Sequence, residues 1–275
     1  MTVELAGLTL ANPLLVASGC GGTGRELVPC LGEQGLAALG GFVTRSITLD
    51  ARAGGPAPRV VETPSGLLHA TGLPNPGIDL FLATELPWLA RQDTRVVVSV
   101  AGRTIGEYAE LARRLGRSPG LAAIEVNVDA LETGSGEPFQ AASVVAAVKR
   151  DLPRGLPVLV KIRPDLVRVV ETVRVVLEAG ADAVVVGTAQ PAALPDGRPA
   201  GLSGPAVRPL ALRCVTEVCA AFPAAQVVGG GGIATAADAR SFLAAGAVAV
   251  QVGAALLHDP TTAARLAADL TQELV

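Results

Sequence analysis

Short runs of β-branched and aliphatic residues recur along the chain, each followed by a stretch whose apolar positions fall at helical spacing. The runs are 14–17 (LLVA), 42–45 (FVTR), 96–100 (VVVSV), 123–128 (AIEVNV), 158–162 (VLVKI), 183–187 (AVVVG), 226–230 (QVVGG) and 249–253 (AVQVG). Their nearly unbroken apolar character predicts parallel strands covered on both faces. Between them, 106–115, 138–152, 166–179, 207–222 and 236–245 predict amphipathic helices, and 261–274 predicts a last one. Asp165 and Thr235 are the expected N-caps of the helices that begin at 166 and 236. The sequence EAGADAV at 178–184 reads as a helix end, a glycine C-cap and a strand start, and AAGAVAV at 244–250 repeats it.

Eight alternations of strand and helix predict a (β/α)8 barrel, a TIM barrel, with a doubly wound sheet as the alternative. Residues 3–13, two short alternating runs about a glycine, predict a β-hairpin ahead of the barrel. No linker or low-complexity stretch divides the chain, so a single domain over 1–275 is expected. The Gly/Pro-rich stretch 51–76 is long for a loop and follows the second strand, where a functional excursion is expected.

Composition narrows the function classes. Hydrophobic residues make up 50% and charged residues 17%, with a formal net charge of −3, which excludes a disordered chain. A mildly acidic chain with no basic block is a poor nucleic-acid binder. Aromatic content of 3% argues against β-sandwiches and propellers. Cys20, Cys30, Cys214 and Cys219 show no CxxC spacing and no zinc pattern with the two histidines. A reduced, cytoplasmic protein is expected. The N-terminus has no basic region followed by an apolar run, so no signal peptide is expected. The apolar stretch 242–257 is short for a membrane span and contains two glycines and a glutamine.

Barrel chemistry sits at the carboxyl ends of the strands. The seventh predicted strand runs into Gly229–Gly232 and the eighth ends at Gly253. Glycine-rich turns there let backbone N–H groups approach a phosphate, although a plain flexible turn has the same sequence. Lys149 and Lys161 are the chain's only lysines, and Lys161 lies within VLVKI. An unpaired charge there is costly, so Lys161 either meets an anion in the barrel mouth or reaches water from the strand end. Glu125 and Asn127 share a face of the fourth strand, as ligand contacts or as a structural hydrogen-bonded pair.

Several of these segments resemble the dihydroorotate dehydrogenase family, most closely its cytosolic class 1 branch. They are NPLLVASG (12–19), VTRSITLDARAGGPAPRV (43–60), TGLPNPGID (71–79), IEVN (124–127), GLSGPAVRPLALR (201–213), VVGGGGI (227–233) and VAVQVGAALLHDP (248–260). The resemblance covers nearly the whole chain. It implies an FMN-dependent (β/α)8 barrel that oxidises dihydroorotate to orotate in pyrimidine biosynthesis. By that likeness the FMN phosphate lies on Gly231, Gly232 and the Gly253–Ala254 turn, with Ser203 and Gly204 alongside. Ala17, Ser18 and Gly19 pass close to the ring system, and Arg45, Ser46 and Asn127 belong to the same cofactor site. Lys161 matches the lysine near flavin N1, where a positive charge favours the reduced cofactor. The likeness also implies a homodimer and, in one subclass, a separate FAD/iron–sulfur electron-transfer subunit. The chain has no cysteine cluster of its own for such a centre.

The substrate side departs from the family pattern. The usual N-x-S-C-P-N, whose cysteine is the class 1 base, reads Asn127-Val128-Asp129-Ala130-Leu131-Glu132. Ala130 cannot accept a proton. An orotate-binding asparagine is replaced by His69, and the asparagine–threonine pair after strand six reads Gly187-Thr188, or Thr188-Ala189 under a one-residue shift. These changes fall on one ligand, so a substrate other than dihydroorotate, or poor handling of it, is expected. Asp129, Glu132, His69 and Cys20 are the candidate replacement proton acceptors; each also has an ordinary reading as a loop carboxylate, loop histidine or small thiol. A flavin-binding paralogue without turnover and a flavin-free barrel enzyme on a phosphorylated substrate are the alternatives.

Overall fold

The apolar runs become strands because their residues are covered on both sides, and the alternation of side chains decides which side. The computed structural model describes residues 2–130 and 138–272. Among these, eight parallel strands close into a barrel: β3 (Leu14–Val16), β4 (Gly41–Val43), β7 (Val96–Val100), β8 (Ala123–Asn127), β9 (Val158–Ile162), β10 (Ala183–Val186), β13 (Val227–Gly230) and β14 (Ala249–Val252). They follow one another round the barrel in chain order, and β14 pairs in parallel with β3 to close it. The barrel is the architecture expected, and the doubly wound alternative falls.

Successive side chains of a strand point to opposite faces. Leu15, Val43, Val97, Leu159, Val185 and Val228 form the inner set, and they pack with Leu5 and Leu10. Those two leucines come from β1 (Val3–Leu5) and β2 (Leu8–Leu10), the predicted antiparallel hairpin. Both are fully buried, and each contributes about 1.5–3 kcal/mol by leaving water. The alternate residues, such as Val16, Phe42, Val98, Ile124 and Val160, join the outer core against the helices.

After the short helices α1 (Ile78–Leu80) and α2 (Leu86–Leu89), the longer helices fall where periodicity put them: α3 (Ile105–Leu115), α4 (Pro138–Asp151), α5 (Val169–Glu178), α6 (Arg208–Ala221), α7 (Ala236–Ala244) and, past the short α8 (Ala254–His258), α9 (Thr262–Gln272). Thr235 caps α7 in a reciprocal capping box with Asp238. Both glycine stops are Schellman turns. Gly180 N–H donates to Leu177 O and Ala181 N–H to Val176 O; Gly246 and Ala247 repeat this on Leu243 and Phe242. Asp165 is not a helix cap. The α5 helix starts at Val169, and the Asp165 carboxylate instead accepts from Val167 N–H in a local turn.

Two regions differ from the simple alternation. After β3 the chain forms 3-10 turns over Val28–Cys30 and Gly32–Ala38 in place of an α-helix. After β4, residues 51–76 are only partly loop. They contain β5 (Val60–Thr63) and β6 (Gly66–His69), which join β11 (Gln190–Ala193) and β12 (Pro199–Ser203) in a four-stranded antiparallel sheet of order β11-β12-β6-β5. This sheet grows from the carboxyl ends of β4 and β10, so it stands at the mouth end. Asn75 anchors the returning chain: its Oδ1 accepts from Thr48 N–H (3.2 Å) and Gly77 N–H (2.9 Å).

Candidate active site

Above the apolar inner layer the barrel interior turns polar. Two residues beyond Val97, Ala123, Leu159 and Ala249 stand Ser99, Glu125, Lys161 and Gln251, all buried. Lys161 Nζ donates to Gln251 Oε1 at 2.7 Å and lies 3.5 Å from Glu125 Oε1. Gln251 Nε2 donates to Glu125 Oε2 at 2.7 Å, closing a ring of three side chains. Lys161 is therefore not a strand-end lysine reaching water: its side chain is 8% exposed and its charge is matched by Glu125. An ammonium carries three N–H donors, and this ring occupies two of them.

A line of hydroxyl groups runs beside the ring. Ser46 Oγ lies 3.0 Å from Ser99 Oγ and 3.4 Å from Ser18 Oγ, and it accepts from Asn127 Nδ2 at 3.3 Å. The Tyr108 hydroxyl donates to the Asn127 carbonyl at 2.6 Å and so fixes the end of β8. Burial pushes the Tyr108 phenol pKa well above its ordinary value, which keeps it a donor. Asn127 Oδ1 and Arg45 Nε are buried without a hydrogen-bond partner. Buried polar atoms rarely go unpaired, so these two mark positions where a ligand would complete the set.

Glycine clears the opposite side. A Cβ on Gly187 would lie 2.7 Å from Gly230 Cα and 2.9 Å from its carbonyl oxygen, so two strand ends meet there with no side chain between them. Gly231 and Gly232 take φ values of +112° and +71°, which L side chains disfavour. Among the described residues no hydrogen bond engages the backbone N–H of Gly231, Gly232 or Gly253. Arg208 holds the loop from outside through a 2.7 Å ion pair with Asp238. Free N–H groups on a glycine turn, followed by the N-terminus of α7, suit a phosphate.

The four expected proton acceptors separate. Asp129, in the turn Val128–Ala130 after β8, lies at the mouth. Thr188 Oγ1 donates to its Oδ2 at 2.7 Å, and Arg163 Nε is 3.6 Å from the same oxygen. Among the described residues no hydrogen bond reaches Oδ1. Burial raises the Asp129 pKa above the usual carboxylate range, against the opposing pull of Arg163, Thr188 and Lys161. His69 faces β12, with Nε2 3.2 Å from Ser203 Oγ, and burial lowers its pKa, favouring the neutral ring. Cys20 is half-buried against core residues, and burial pushes its thiol up to about 11, a poor proton acceptor near neutrality. Glu132 lies outside the described residues.

A cavity of ≈ 420 Å³ opens between the loops after β4 and β7, lined by Arg52, Gly54, Arg103 and Glu107 among others. It shares no lining residue with the lysine ring or the glycine turns, so it lies beside the candidate site. Among the described residues no group of three or more His, Cys, Asp or Glu side chains could hold a metal ion. No described helix is long and apolar enough to cross a membrane.

The sequence reading did not single out Gln251, Thr188 as a carboxylate partner, or Arg163. Gln251 carried a usable signal: it is a polar residue at an inner position of a strand, as Glu125 and Lys161 are. Arg163 and Thr188 carried none beyond their place at strand ends.

Known proteins resemble this chain over its full length. A family model described as dihydroorotate dehydrogenase matches residues 1–274. The catalytic subunit of dihydroorotate dehydrogenase B (NAD(+)) from Desulforudis audaxviator is 45% identical, with 99% of this chain and 92% of the relative covered. The subunit of the same name from Anoxybacillus flavithermus is 40% identical, with 98% and 89% covered. Among solved structures, dihydroorotate dehydrogenase of Eimeria tenella, in complex with ferulenol, superposes with a TM-score of 0.85. It covers 99% of this chain and 84% of its own at 20% identity, a likeness of fold.

Proposed function

The chain belongs to the dihydroorotate dehydrogenase family, and from that premise we propose that it is an FMN-dependent oxidoreductase. It converts a CH–CH bond of a dihydropyrimidine of the dihydroorotate type to C=C. The observation that carries this reading is the buried Lys161 ammonium facing a barrel mouth cleared by Gly187, Gly230 and the Gly231–Gly232 turn. The unpartnered Asn127 Oδ1 and Arg45 Nε, and the free N–H groups of the glycine turn, fit the same group. When bound, the flavin supplies the acceptor for a hydride.

This chain's residues supply the rest. The N–H groups of Gly231, Gly232 and Gly253 hold the phosphate, with Ser203, Gly204 and Ala254 beside it. Ala17, Ser18, Gly19 and Ser46 border the ring system. Lys161 offers its remaining N–H and its charge, and Asn127 and Arg45 complete the contacts. Oxidising CH–CH releases a proton as well as a hydride. Asp129 takes that proton on Oδ1, since the Thr188 hydrogen bond holds Oδ2 and the Arg163 guanidinium stands 3.6 Å from that same oxygen. Ala130 stands next to it without a proton-accepting group.

The relatives are named as catalytic subunits. We propose that this chain likewise passes electrons to a separate FAD/iron–sulfur subunit, as a homodimer in the cytoplasm. The test begins with the purified protein. Flavin bands in the visible spectrum, and FMN rather than FAD among the compounds released on denaturation, are expected. Anaerobic dihydroorotate then bleaches the bound flavin. Bleaching only by another dihydropyrimidine identifies a shifted substrate, which the Ala130 position favours. A protein that binds no flavin after incubation with FMN, or whose flavin no dihydropyrimidine reduces, refutes the proposal.

A further inference from the structure

The lysine ring contains more than a lysine. Glu125 is fully buried, and its two described partners are Lys161 and Gln251. A bare ammonium beside a ligand would suffice to attract negative charge, yet this one is built with a counter-charge on β8 and an amide on β14. The distances show how the three share the work. A charge-assisted N–H···O contact closes to about 2.7–2.9 Å when nothing holds it apart. Here Nζ makes its short contact, 2.7 Å, to the neutral Gln251 amide and stays 3.5 Å from the carboxylate. Gln251 passes the interaction on by donating its own Nε2–H to Glu125 at 2.7 Å. The amide is thus a spacer that keeps the opposite charges from collapsing onto each other.

We infer that Glu125 and Gln251 are positioning residues that set the electron affinity of the bound cofactor by fixing how much of the Lys161 charge it feels. The inference rests on the flavin reading above. Glu125 discounts the positive field at the mouth, because a carboxylate in a low-dielectric interior offsets a neighbouring ammonium strongly. Gln251 limits that discount by holding the pair apart. Reduction adds negative charge to the cofactor, so a stronger positive field favours it. Opposite signs follow for the two side chains. Glu125→Gln removes the counter-charge and raises the reduction potential. Gln251→Leu lets the ammonium close on the carboxylate and lowers it.

The experiment is an equilibrium titration of the purified holoprotein against redox dyes, which reads potential and not turnover. At a fixed solution potential, Glu125→Gln is expected to raise the reduced-to-oxidised ratio at least tenfold, about 30 mV for a two-electron couple. Gln251→Leu is expected to lower it. Shifts below threefold in both variants, or shifts in the same direction, overturn the inference. So does loss of folding in both, which would make the ring a scaffold alone; if one variant folds, its direction decides. A wild-type protein without flavin refutes the flavin reading and this inference together. A flavin-loaded protein with unmoved potentials refutes only this one.

Discussion

Replacing Gly187 by alanine probes the glycine-lined mouth with one added methyl group. Gly187 directly follows β10 and Gly230 ends β13, and the ladder pairs these strands through Val184–Val227, Val185–Val228 and Val186–Gly229. The new Cβ would meet Gly230 Cα at 2.7 Å, its carbonyl carbon at 2.8 Å and its oxygen at 2.9 Å. All three are backbone atoms, so no side chain can swing away and the two strands must part. Over-packing of this kind costs about 1–3 kcal/mol. For a chain of this size that lowers the midpoint of thermal unfolding by about 2–4 °C per kcal/mol, or ~2–12 °C in all. Parting β10 from β13 also moves the turn that starts at Gly231, so affinity for the proposed FMN falls with stability. Gly106→Ala is the matched control. It lies in the first turn of α3, and its Cβ meets nothing closer than Thr104 Oγ1 at 3.8 Å. There alanine reduces the freedom of the unfolded chain and raises stability by about 0.4–1 kcal/mol. Thermal melts with and without FMN, plus a flavin-binding titration, read both variants. A Gly187→Ala protein that melts with the wild type and binds FMN equally well would refute the close-packed mouth.

Substitutions at three further positions test the same geometry. Lys161→Met strands a fully buried carboxylate and should cost about 3–5 kcal/mol; Lys161→Met combined with Glu125→Gln should regain much of it, and a double variant no more stable than the single one contradicts the pairing. Asp129→Asn should slow flavin reduction by about 10²–10⁴-fold and remove the rising limb of the pH–rate profile, a limb placed above the usual carboxylate range by burial; an unchanged profile assigns the proton elsewhere. Because the folded pKa of Asp129 is raised, the native state holds its proton more tightly than the unfolded chain. Stability from this group is fully present below the unfolded pKa and declines as pH rises through the folded one, and urea titrations across that window should show a flatter curve for Asp129→Asn. Thr235→Ala removes the hydroxyl of the α7 capping box and should cost about 1 kcal/mol by denaturant melt, with a loosened Asp238 weakening its hold on Arg208.

The structure also explains why one expectation failed. Asp165 has the residue type of an N-cap, but its side chain satisfies Val167 N–H and the helix starts a turn later, a local reading that neighbouring atoms overruled. Cys20 stands on the loop after the first barrel strand, as expected, and burial pushes its thiol up to about 11, which weakens it as a proton acceptor near neutrality.

What the sequence determined by itself is what depends on near neighbours. Unbroken apolar runs make strands that must be covered on both faces, helical spacing makes the outer layer, and the glycines of EAGADAV and AAGAVAV stop helices at Gly180 and Gly246. Those signals extend over a few residues, and they were enough for the barrel, its hairpin and the glycine turns at its mouth. What the tertiary structure decided depends on residues far apart in the chain. Lys161 meets a carboxylate 36 positions away and an amide 90 positions away. Asp129 is held by a threonine 59 positions on. The β11 and β12 strands (QPAA and PAGLS) carry proline and glycine, have weak strand propensity, and become strands by pairing with each other and with β6. A barrel brings every strand end to one rim whatever the separation in sequence, so the sequence could nominate Lys161 as a cation, and closure of the barrel supplied the groups that hold it.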